Sequence, residues 1–177
     1  MQSAGFQDQF AIGDRQIGGG APCLFIAEAG VAHFGDMDLA IQLVELAAEA
    51  GADVFKTQVF DVDQLIAAEL MEWRDRLRPR NLSLPEFKEL KTLCDERGLL
   101  FMATAHNESR IPWLEELDVP AIKVGSGERG NPGFLTRLAE LGRPMLVSTG
   151  MYDERDVEEA LDACAKGGCD QVALLHC

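Results

Sequence analysis

Basic residues are scarce in this sequence. Its 177 residues include 30 Asp and Glu but only 16 Lys and Arg, which gives a formal net charge of -14. Nucleic acids and anionic membrane surfaces need a basic protein face, so the acid excess argues against both as partners. We find no apolar run near the roughly 18 residues of a membrane span, and we expect no signal peptide from the polar N-terminus. A small anionic ligand remains compatible, provided that cations are concentrated locally.

Cysteines are few and irregularly spaced, and their number is odd. The five are Cys23, Cys94, Cys164, Cys169 and Cys177. This pattern does not indicate a disulfide framework, so we expect the reducing environment of the cytoplasm. Together with His176 the last three suggest zinc, but their spacing matches no standard zinc motif and Cys164 falls on the apolar face of a predicted helix. We therefore interpret the cysteines as buried thiols.

Short apolar segments alternate with helical patterns along most of the chain. The predicted strands are Cys23–Ala27, Asp53–Gln58, Leu99–Ala103, Ala121–Val124, Met145–Val147 and Val172–Leu175. An N-terminal hairpin at Phe10–Gly20, with a turn at Gly13-Asp14, precedes them. Strict alternation of strand and helix predicts a parallel sheet with right-handed crossovers.

The predicted helices carry recognisable start signals. Ser83-Leu-Pro-Glu86 is a capping box with an early proline, and Asp36, Asn131 and Asp153 can cap the starts of other helices. In the helix after Asp36 the inward face is predicted to contain Leu39, Leu43, Leu46, Ala47 and Ala50. The connection Val59–Leu82 is long for a compact domain, which is typical of a lid or a binding loop.

Two fold classes fit the alternation, a doubly wound sheet and a (β/α)8 TIM barrel. No G-x-G-x-x-G follows the first strand, which counts against a dinucleotide-binding sheet. Polar residues close every predicted strand, which favours a barrel because all its strand ends surround one site. A complete barrel needs about 250 residues. We therefore predict a single, incomplete TIM-barrel domain over 1–177, truncated to about six β/α units.

The polar residues at the strand ends are candidates for a common site. They are Glu28, Lys56, Gln58, Thr104, Lys123, Ser126, Ser148 and His176. Two lysines and three hydroxyls, with nearby glycines, suit a phosphate or a ligand with a phosphate and a carboxylate. The alternative is that the lysines pair with rim carboxylates and the hydroxyls cap helices. His176 is either a rim histidine or a ligand of a divalent metal. His33 and His106 lie in adjacent loops, where they either line the mouth or are solvated.

Several segments resemble the N-acetylneuraminate (sialic acid) synthase family. They are FIAEAGVAHFGD, AGADVFKTQ, FMATA, VPAIKVGSGE, GRPMLVSTGM and the terminal LLHC, in the family's order across about residues 6–177. The resemblance implies a (β/α)8 barrel, commonly followed by a small antifreeze-like domain that the 177 residues do not include. It also implies condensation of phosphoenolpyruvate with an N-acetylated sugar aldehyde, such as N-acetylmannosamine, to give a nonulosonic acid and phosphate.

The resemblance also assigns roles to the candidate residues. Phosphoenolpyruvate would be bound by Lys56, Gln58, Thr104, Lys123, Ser126 and Ser148. Catalysis would involve Glu28, the sugar-side carboxylate, together with Lys56 and Lys123, which offset charge on the phosphate and carboxylate. His176 would be one of two histidines that bind a divalent metal, Mn2+ or Mg2+, which polarises the aldehyde. The full-length form is compatible with a homodimer.

The sequence departs from the family pattern in two loops where the sugar would be read and in the length of one connection. A third departure is that the second metal histidine and the rest of the sugar site would belong to units beyond Cys177. Ala32-His33-Phe34 stands where the family has Asn-His-Asn, and Ala105-His106-Asn107 stands where it has Pro-Phe-Asp. The connection Val59–Leu82 is shorter than in the family. Three alternatives to the sialic acid synthase therefore stay open. They are a synthase for another nonulosonic or surface polysaccharide sugar acid, a non-catalytic anion-binding fragment that needs a partner chain, and a lysine-dependent aldolase.

Overall fold

The computed structural model describes residues 5–177, which form two compact units. Among these residues, the terminal unit comprises 5–23 and Pro120–Cys177, and the central unit comprises Leu24–Val119. The strands are β1 Gln9–Ile12, β2 Arg15–Gly18, β3 Ile26–Gly30, β4 Val54–Val59, β5 Leu100–Ala105, β6 Ile122–Val124, β7 Met145–Ser148 and β8 Val172–Leu175. The helices are α1 Met37–Glu49, α2 Val62–Leu65, α3 Met71–Leu77, α4 Leu84–Glu96, α5 Ile111–Glu116, α6 Pro132–Ala139 and α7 Glu154–Lys166.

The central unit contains a parallel sheet in the order β3-β4-β5. Its register places Glu28 opposite Lys56 and Gln58 opposite Thr104, with an irregularity between Glu28 and Gly30. Because side chains alternate along a strand, Phe55 of β4 points to the opposite face from Lys56. Phe55 is buried there, 6.4 Å from the ring of Phe101 on β5. The sheet therefore has an aromatic core on one face and polar side chains on the other.

The terminal unit contains the hairpin and a second parallel sheet, in the order β6-β7-β8. The hairpin pairs Ile12 with Arg15, so its loop consists of Gly13 and Asp14. Gly13 has a φ of +59°, the left-handed conformation that the first residue of a type II′ loop requires. The predicted hairpin is confirmed.

Local capping interactions begin the longer helices where the sequence predicts them. The Asp36 carboxylate accepts from the Leu39 N–H at 3.1 Å, and Ser83 and Glu86 form the expected capping box. Along α1, however, the buried residues are Ala40, Val44 and Ala47, whereas the predicted inward residue Leu46 is 59% exposed. The buried stripe therefore lies one position along from the predicted one, although the predicted Ala47 is part of it.

Some strand bounds differ from the predicted ones, because pairing with a neighbouring strand, and not apolar character alone, decides where a strand begins. The first parallel strand begins at Ile26 instead of Cys23, since Ile26 is opposite Val54, the first residue of β4. The preceding Phe25 is 67% exposed, and its N–H donates to the Asp53 carboxylate at 2.8 Å. Cys23 is exposed too, as is Cys177, so the interpretation of all five cysteines as buried thiols is wrong for these two.

The predicted α/β class, with β/α units in parallel sheets behind an N-terminal hairpin, is confirmed. The division of the domain, as one unit over 1–177, stays a prediction. The connection between β4 and α4 is not structureless, since it contains α2 and α3. Among residues 5–177, no helix is long and apolar enough to cross a membrane.

Candidate functional site

Lys56 is a buried cation on β4 of the central unit. Its side chain is only 8% exposed, and its ammonium forms an ion pair with the Glu28 carboxylate. It also donates to the Thr104 hydroxyl at 3.4 Å. A buried ammonium is costly unless it is paired and hydrogen-bonded, and here a carboxylate and a hydroxyl provide those contacts. The alternative of a lysine paired with a carboxylate therefore holds for Lys56 in this structure.

Strand register explains why these side chains meet. Glu28 and Lys56 are directly opposite on β3 and β4, and Thr104 follows on β5. Alternation puts Lys56 and Gln58 on one face of β4 and Thr57 on the other. These residues lie within the strands, whereas the sequence predicts them at or beyond the ends. The strands extend further because their ladders continue to Gly30, Val59 and Ala105.

A bulged segment of β3 lies between the Glu28 carboxylate and the Gln58 amide. The register shifts between Glu28 and Gly30, and Gly30 has a φ of +55°. A Cβ atom at Gly30 would lie 3.2 Å from Glu28 Oε1 and 3.4 Å from Gln58 Nε2. The missing side chain of Gly30 therefore leaves a small space beside the carboxylate and the amide. On the buried side, the Thr57 hydroxyl donates to the Gly30 carbonyl at 2.9 Å.

His33 lies under the loop that follows β3 and is not solvated. It is 1% exposed, and its Nδ1 accepts from the Gly35 N–H at 3.1 Å. Its Nε2 is buried and makes no hydrogen bond, and its ring meets the Phe87 ring edge-on at 6.4 Å. Burial lowers the pKa of His33, although the Glu86 carboxylate acts in the opposite direction. His33 is therefore a neutral, structural imidazole.

The residues beside His33 connect this loop to the β4–α4 connection. Phe34 is 55% exposed, with a φ of +52°, and the Arg80 guanidinium lies over its ring at 4.7 Å. Gly35 has a φ of +80°, and a Cβ atom there would clash with the Pro79 carbonyl oxygen. The loop therefore presents an exposed aromatic ring and a cation where the sequence departs from the family pattern.

The loop after β5 is held by its own polar contacts. Asn107 accepts from the Asp61 N–H at 3.3 Å and donates to the Asp61 carbonyl at 2.9 Å. Arg110 lies 3.6 Å from the Asp61 carboxylate and 4.4 Å from the Trp113 ring centre. His106 is half-buried beside them. Asn107 therefore ties the end of β5 to the start of α2.

Lys123 is the corresponding cation of the terminal unit. Its ammonium donates to the Ser148 hydroxyl at 2.6 Å and to the Val124 carbonyl at 2.7 Å. Ser148 ends β7 and is buried, while Lys123 on β6 is half-buried. Lysine and hydroxyl thus come from adjacent strands of one parallel sheet, as they do for Lys56 and Thr104 in the central unit.

Ser126 lies beside the end of β7 through a close backbone approach. It begins a short 3-10 turn, Ser126–Glu128, directly after β6. A Cβ atom at Gly150 would lie 3.5 Å from Ser126 Oγ and 3.1 Å from Cys177 Cβ. Because Gly150 has no side chain, Ser126 and Cys177 can both lie against its backbone.

His176 follows β8 and is exposed. Among residues 5–177, no group of three or more His, Cys, Asp and Glu side chains could hold a metal ion. Cys164 and Cys169, which the sequence groups with His176, are buried. Burial raises the pKa of the Cys164 thiol to about 12, which disfavours the thiolate that zinc binds. The described residues do not by themselves make up a metal centre.

The predicted site residues thus divide evenly between the units. Glu28, Lys56, Gln58 and Thr104 come together in the central unit. In the terminal unit, Lys123 lies on β6 and Ser148 ends β7, while Ser126 follows β6 and His176 follows β8. The sequence did not single out Thr57 or Arg80. Threonine is ordinary in strands and arginine on surfaces, so only the Gly30 bulge and the exposed Phe34 ring give them significance.

Fold and candidate residues together define a β/α protein in which sheet lysines, held by hydroxyls, can receive a small anion. Comparison with known proteins makes this class more specific. Residues 43–177 match the profile of the NeuB family. Because this match covers most of the chain, the chain belongs to the NeuB family, and the predicted resemblance to sialic acid synthases is confirmed.

Individual relatives agree with this assignment. The chain is 34% identical to human N-acetylneuraminate-9-phosphate synthase over 149 residues, covering 77% of the chain and 42% of the relative. It is 35% identical to the N,N'-diacetyllegionaminic acid synthase of Legionella pneumophila, covering 93% of the chain and 51% of the relative.

A solved structure extends the likeness to the fold. The sialic acid synthetase of Leptospira borgpetersenii serovar Hardjo-bovis superposes with a TM-score of 0.91 at 29% identity, covering 98% of the chain and 60% of the synthetase. This likeness confirms the predicted TIM-barrel type of fold. The chain spans about half the length of the curated relatives that it matches. The predicted truncation to about six β/α units stays a prediction.

Proposed function

We propose that the protein condenses phosphoenolpyruvate with an N-acetylated sugar aldehyde, N-acetylmannosamine or a similar sugar, to give a sialic or nonulosonic acid and phosphate. The proposal rests on family membership together with one observation of this structure. Each unit holds a lysine that donates to a hydroxyl on the adjacent parallel strand, Lys56 to Thr104 and Lys123 to Ser148. An ammonium with a hydroxyl beside it is a suitable receptor for phosphate or carboxylate oxygens.

The two lysines would neutralise the negative charges of the substrate. Phosphoenolpyruvate carries a phosphate and a carboxylate, and the acidic protein offers two lysines in buried or half-buried positions on its sheets. Cations fixed in place before the reaction stabilise negative charge at no cost of reorganisation. We assign Lys56 and Lys123 to neutralising the phosphate and carboxylate, and Thr104, Ser126 and Ser148 to orienting their oxygens.

Bond formation places a second demand on the site. The enol carbon of phosphoenolpyruvate attacks the aldehyde carbon, whose oxygen takes up a proton. Water then adds to the cation left at the former enol position, and phosphate leaves. Glu28 is half-exposed beside Lys56, where its carboxylate can hold a sugar hydroxyl or steer a proton. Gln58, next to Glu28 across Gly30, can donate an amide hydrogen bond to the same ligand.

A divalent metal, Mn2+ or Mg2+, belongs to the proposal as a cofactor that would polarise the aldehyde oxygen. His176 would contribute one imidazole. Residues 5–177 contain no group of three or more metal-binding side chains in suitable positions, so His176 is the one ligand that the proposal assigns. The steps assigned above to Glu28 and the lysines do not depend on the metal. A cytoplasmic location and a homodimer of the full-length form likewise stay predictions.

A different sugar is the second candidate. The exposed Phe34 ring under Arg80 replaces a polar residue of the family pattern, which changes the chemistry of this loop from amide to aromatic and cationic. One relative, the Legionella enzyme, is named for a diacetylated sugar acid. A panel of amino-sugar aldehydes, including diacetylated ones, distinguishes this candidate from N-acetylmannosamine.

The proposal is tested by phosphate release from phosphoenolpyruvate in the presence of manganese and the sugar panel. The assay uses the 177-residue chain and the same chain extended by two β/α units. We expect release by the extended chain, and loss of it in Lys56→Met and Lys123→Met. Lys88→Met is the matched control, because Lys88 is half-exposed on α4 and pairs with Glu116.

The other outcomes each point to an alternative. No release from the extended chain with any sugar overturns the proposal. In that case, an unchanged melting temperature with phosphoenolpyruvate and manganese, together with a defined hetero-oligomer, indicates a non-catalytic fragment that needs a partner chain. Borohydride trapping of pyruvate on Lys56 or Lys123 indicates a lysine-dependent aldolase.

A further inference from the structure

Thr57 on β4 forms a side-chain hydrogen bond to the backbone of the neighbouring strand. It is fully buried on the face of β4 opposite to Lys56, and its hydroxyl donates to the Gly30 carbonyl at 2.9 Å. Gly30 ends the neighbouring strand, β3, in the left-handed conformation. A side chain on the core face therefore holds the backbone at the point where β3 stops being regular.

The irregularity at Gly30 affects the direction of the Glu28 side chain, two residues earlier on β3. The β3–β4 register is regular up to the pair Glu28 and Lys56, then shifts so that Gly30 is opposite Thr57. Ala29 is thus the extra residue of the bulge. Bulges re-aim neighbouring side chains. Consistent with this, the Glu28 carboxylate lies close to Gly30 and in an ion pair with Lys56.

We propose that Thr57 is a positioning residue, which fixes the Gly30 bulge and thereby keeps the Glu28 carboxylate on Lys56. The inference deepens the proposed function, on which the importance of this pair for catalysis rests. Thr57 itself lies on the core face and is not expected to touch the substrate. It acts through the backbone of Gly30, over a path of one hydrogen bond and two residues.

The test measures how fast the Lys56 amine is acylated by acetic anhydride in the 177-residue chain, by peptide mass spectrometry. In Thr57→Val, which keeps the shape but removes the donor, we expect Lys56 to be labelled about three- to tenfold faster. This is the factor that the free energy of one net hydrogen bond produces. Thr57→Ser keeps the donor and should stay within about twofold of the wild type.

A double-mutant cycle then assigns the effect to Glu28. Glu28→Gln alone should speed Lys56 labelling, and adding Thr57→Val should cause no further increase, because both changes act on the same contact. Thr136→Val is the matched control, since the Thr136 hydroxyl also donates to backbone carbonyls, of Pro132 and Ala163, but in the terminal unit. It should leave Lys56 labelling unchanged.

Cys94 reports on the fold in the same experiment. Its thiol is fully buried in the central unit, so alkylation of Cys94 rises only when that unit loosens. The inference is overturned if Thr57→Val leaves Lys56 labelling unchanged, if its effect adds fully to that of Glu28→Gln, or if Cys94 becomes reactive in parallel. Faster labelling of Lys56 alone, absent in the double variant, supports it.

Turnover supplies a second, separate readout. In the extended chain, Thr57→Val should lower kcat about tenfold with the KM for phosphoenolpyruvate changed less than about twofold, and Thr57→Ser should restore kcat. If the extended wild-type chain shows no condensation, the proposed function fails while the labelling result stands on its own. If condensation occurs but Thr57→Val turns over normally, the positioning role is overturned instead.

Discussion

Removing the carboxylate of Glu28 should cost more stability than removing the ammonium of Lys56. The Lys56 side chain is 8% exposed and that of Glu28 is 44% exposed. In Glu28→Gln the buried ammonium keeps the Thr104 hydroxyl, at 3.4 Å, as a long and uncharged acceptor. In Lys56→Met an apolar chain fills the buried space, and water can solvate the half-exposed carboxylate.

The size of this difference follows from the exposure. Removing one partner of a fully buried ion pair costs about 3–5 kcal/mol. Water can partly replace the half-exposed Glu28, so we expect about 1.5–3 kcal/mol for Glu28→Gln, roughly half of the fully buried value. Lys56→Met should cost about 1 kcal/mol or less, because it leaves no buried charge unpaired. The double variant should resemble Lys56→Met, so the coupling should equal the cost of Glu28→Gln, about 1.5–3 kcal/mol.

Urea unfolding followed by circular dichroism measures these values, and in a chain of this size each kcal/mol also shifts the Tm by about 2–4 °C. Glu116→Gln is the control. It removes a carboxylate from an exposed pair with Lys88 at 2.7 Å, in which both side chains are about half exposed. This change should cost at most about 1 kcal/mol. The reasoning is refuted if Glu28→Gln costs no more than Glu116→Gln, or if Lys56→Met is the more damaging of the two.

Three further predictions use other parts of the structure. Burial lowers the pKa of His33 below 6.5, so the folded state takes up its proton less readily than the unfolded state; stability should fall as the pH drops below about 6.5, by less than about 1.4 kcal/mol per pH unit. In urea titrations at pH 7.5 and 5.0, His33→Gln should lose this part of the pH dependence, whereas His176→Gln should retain it. The exposed thiols of Cys23 and Cys177 should react quickly with a thiol reagent at pH 8, and the three buried thiols only in urea. Burial withholds the buried thiols from the reagent and raises the pKa of Cys94 to about 12. A third fast-reacting thiol would contradict this. Gly30→Ala and Gly142→Ala should each lose about 1–2 kcal/mol of unfolding free energy through their positive φ. Gly30→Ala should lose more, because a Cβ atom at Gly30 meets neighbouring side chains and one at Gly142 meets none. Equal losses would count against crowding between position 30 and Glu28.

The sequence predicts well those parts of the fold that depend only on residues close together in the chain. The Ser83 and Glu86 capping box is made within four residues, so no knowledge of the rest of the chain is needed to expect it. The last strand, Val172–Leu175, has the predicted bounds, which coincide with its apolar run. Strand bounds that depend on pairing with another strand cannot be predicted from local signals. The first strand starts at Ile26 because β4 starts at Val54, and the apolar run from Cys23 does not contain that information.

The same distinction applies to the candidate site. Lys56 and Lys123 stand out in the sequence because a cation in an apolar strand needs a partner. Which partner it takes is decided by the register, which puts Glu28 directly opposite Lys56. Thr57 could not be found at all, because its role depends on a bulge in a different strand. The assignment of roles within phosphoenolpyruvate binding stays a prediction from family resemblance.

The contact between Gly35 and Pro79 has a consequence for engineering. Gly35 can have no side chain because the Pro79 carbonyl oxygen occupies the place where a Cβ atom would be. Phe34, one residue before it, in turn lies beneath the Arg80 guanidinium. The loop after β3 and the segment before α4 therefore fit each other as a matched pair. Exchange of these segments with those of a relative should succeed only when both are transplanted together, since either one alone would meet a surface shaped for its original neighbour.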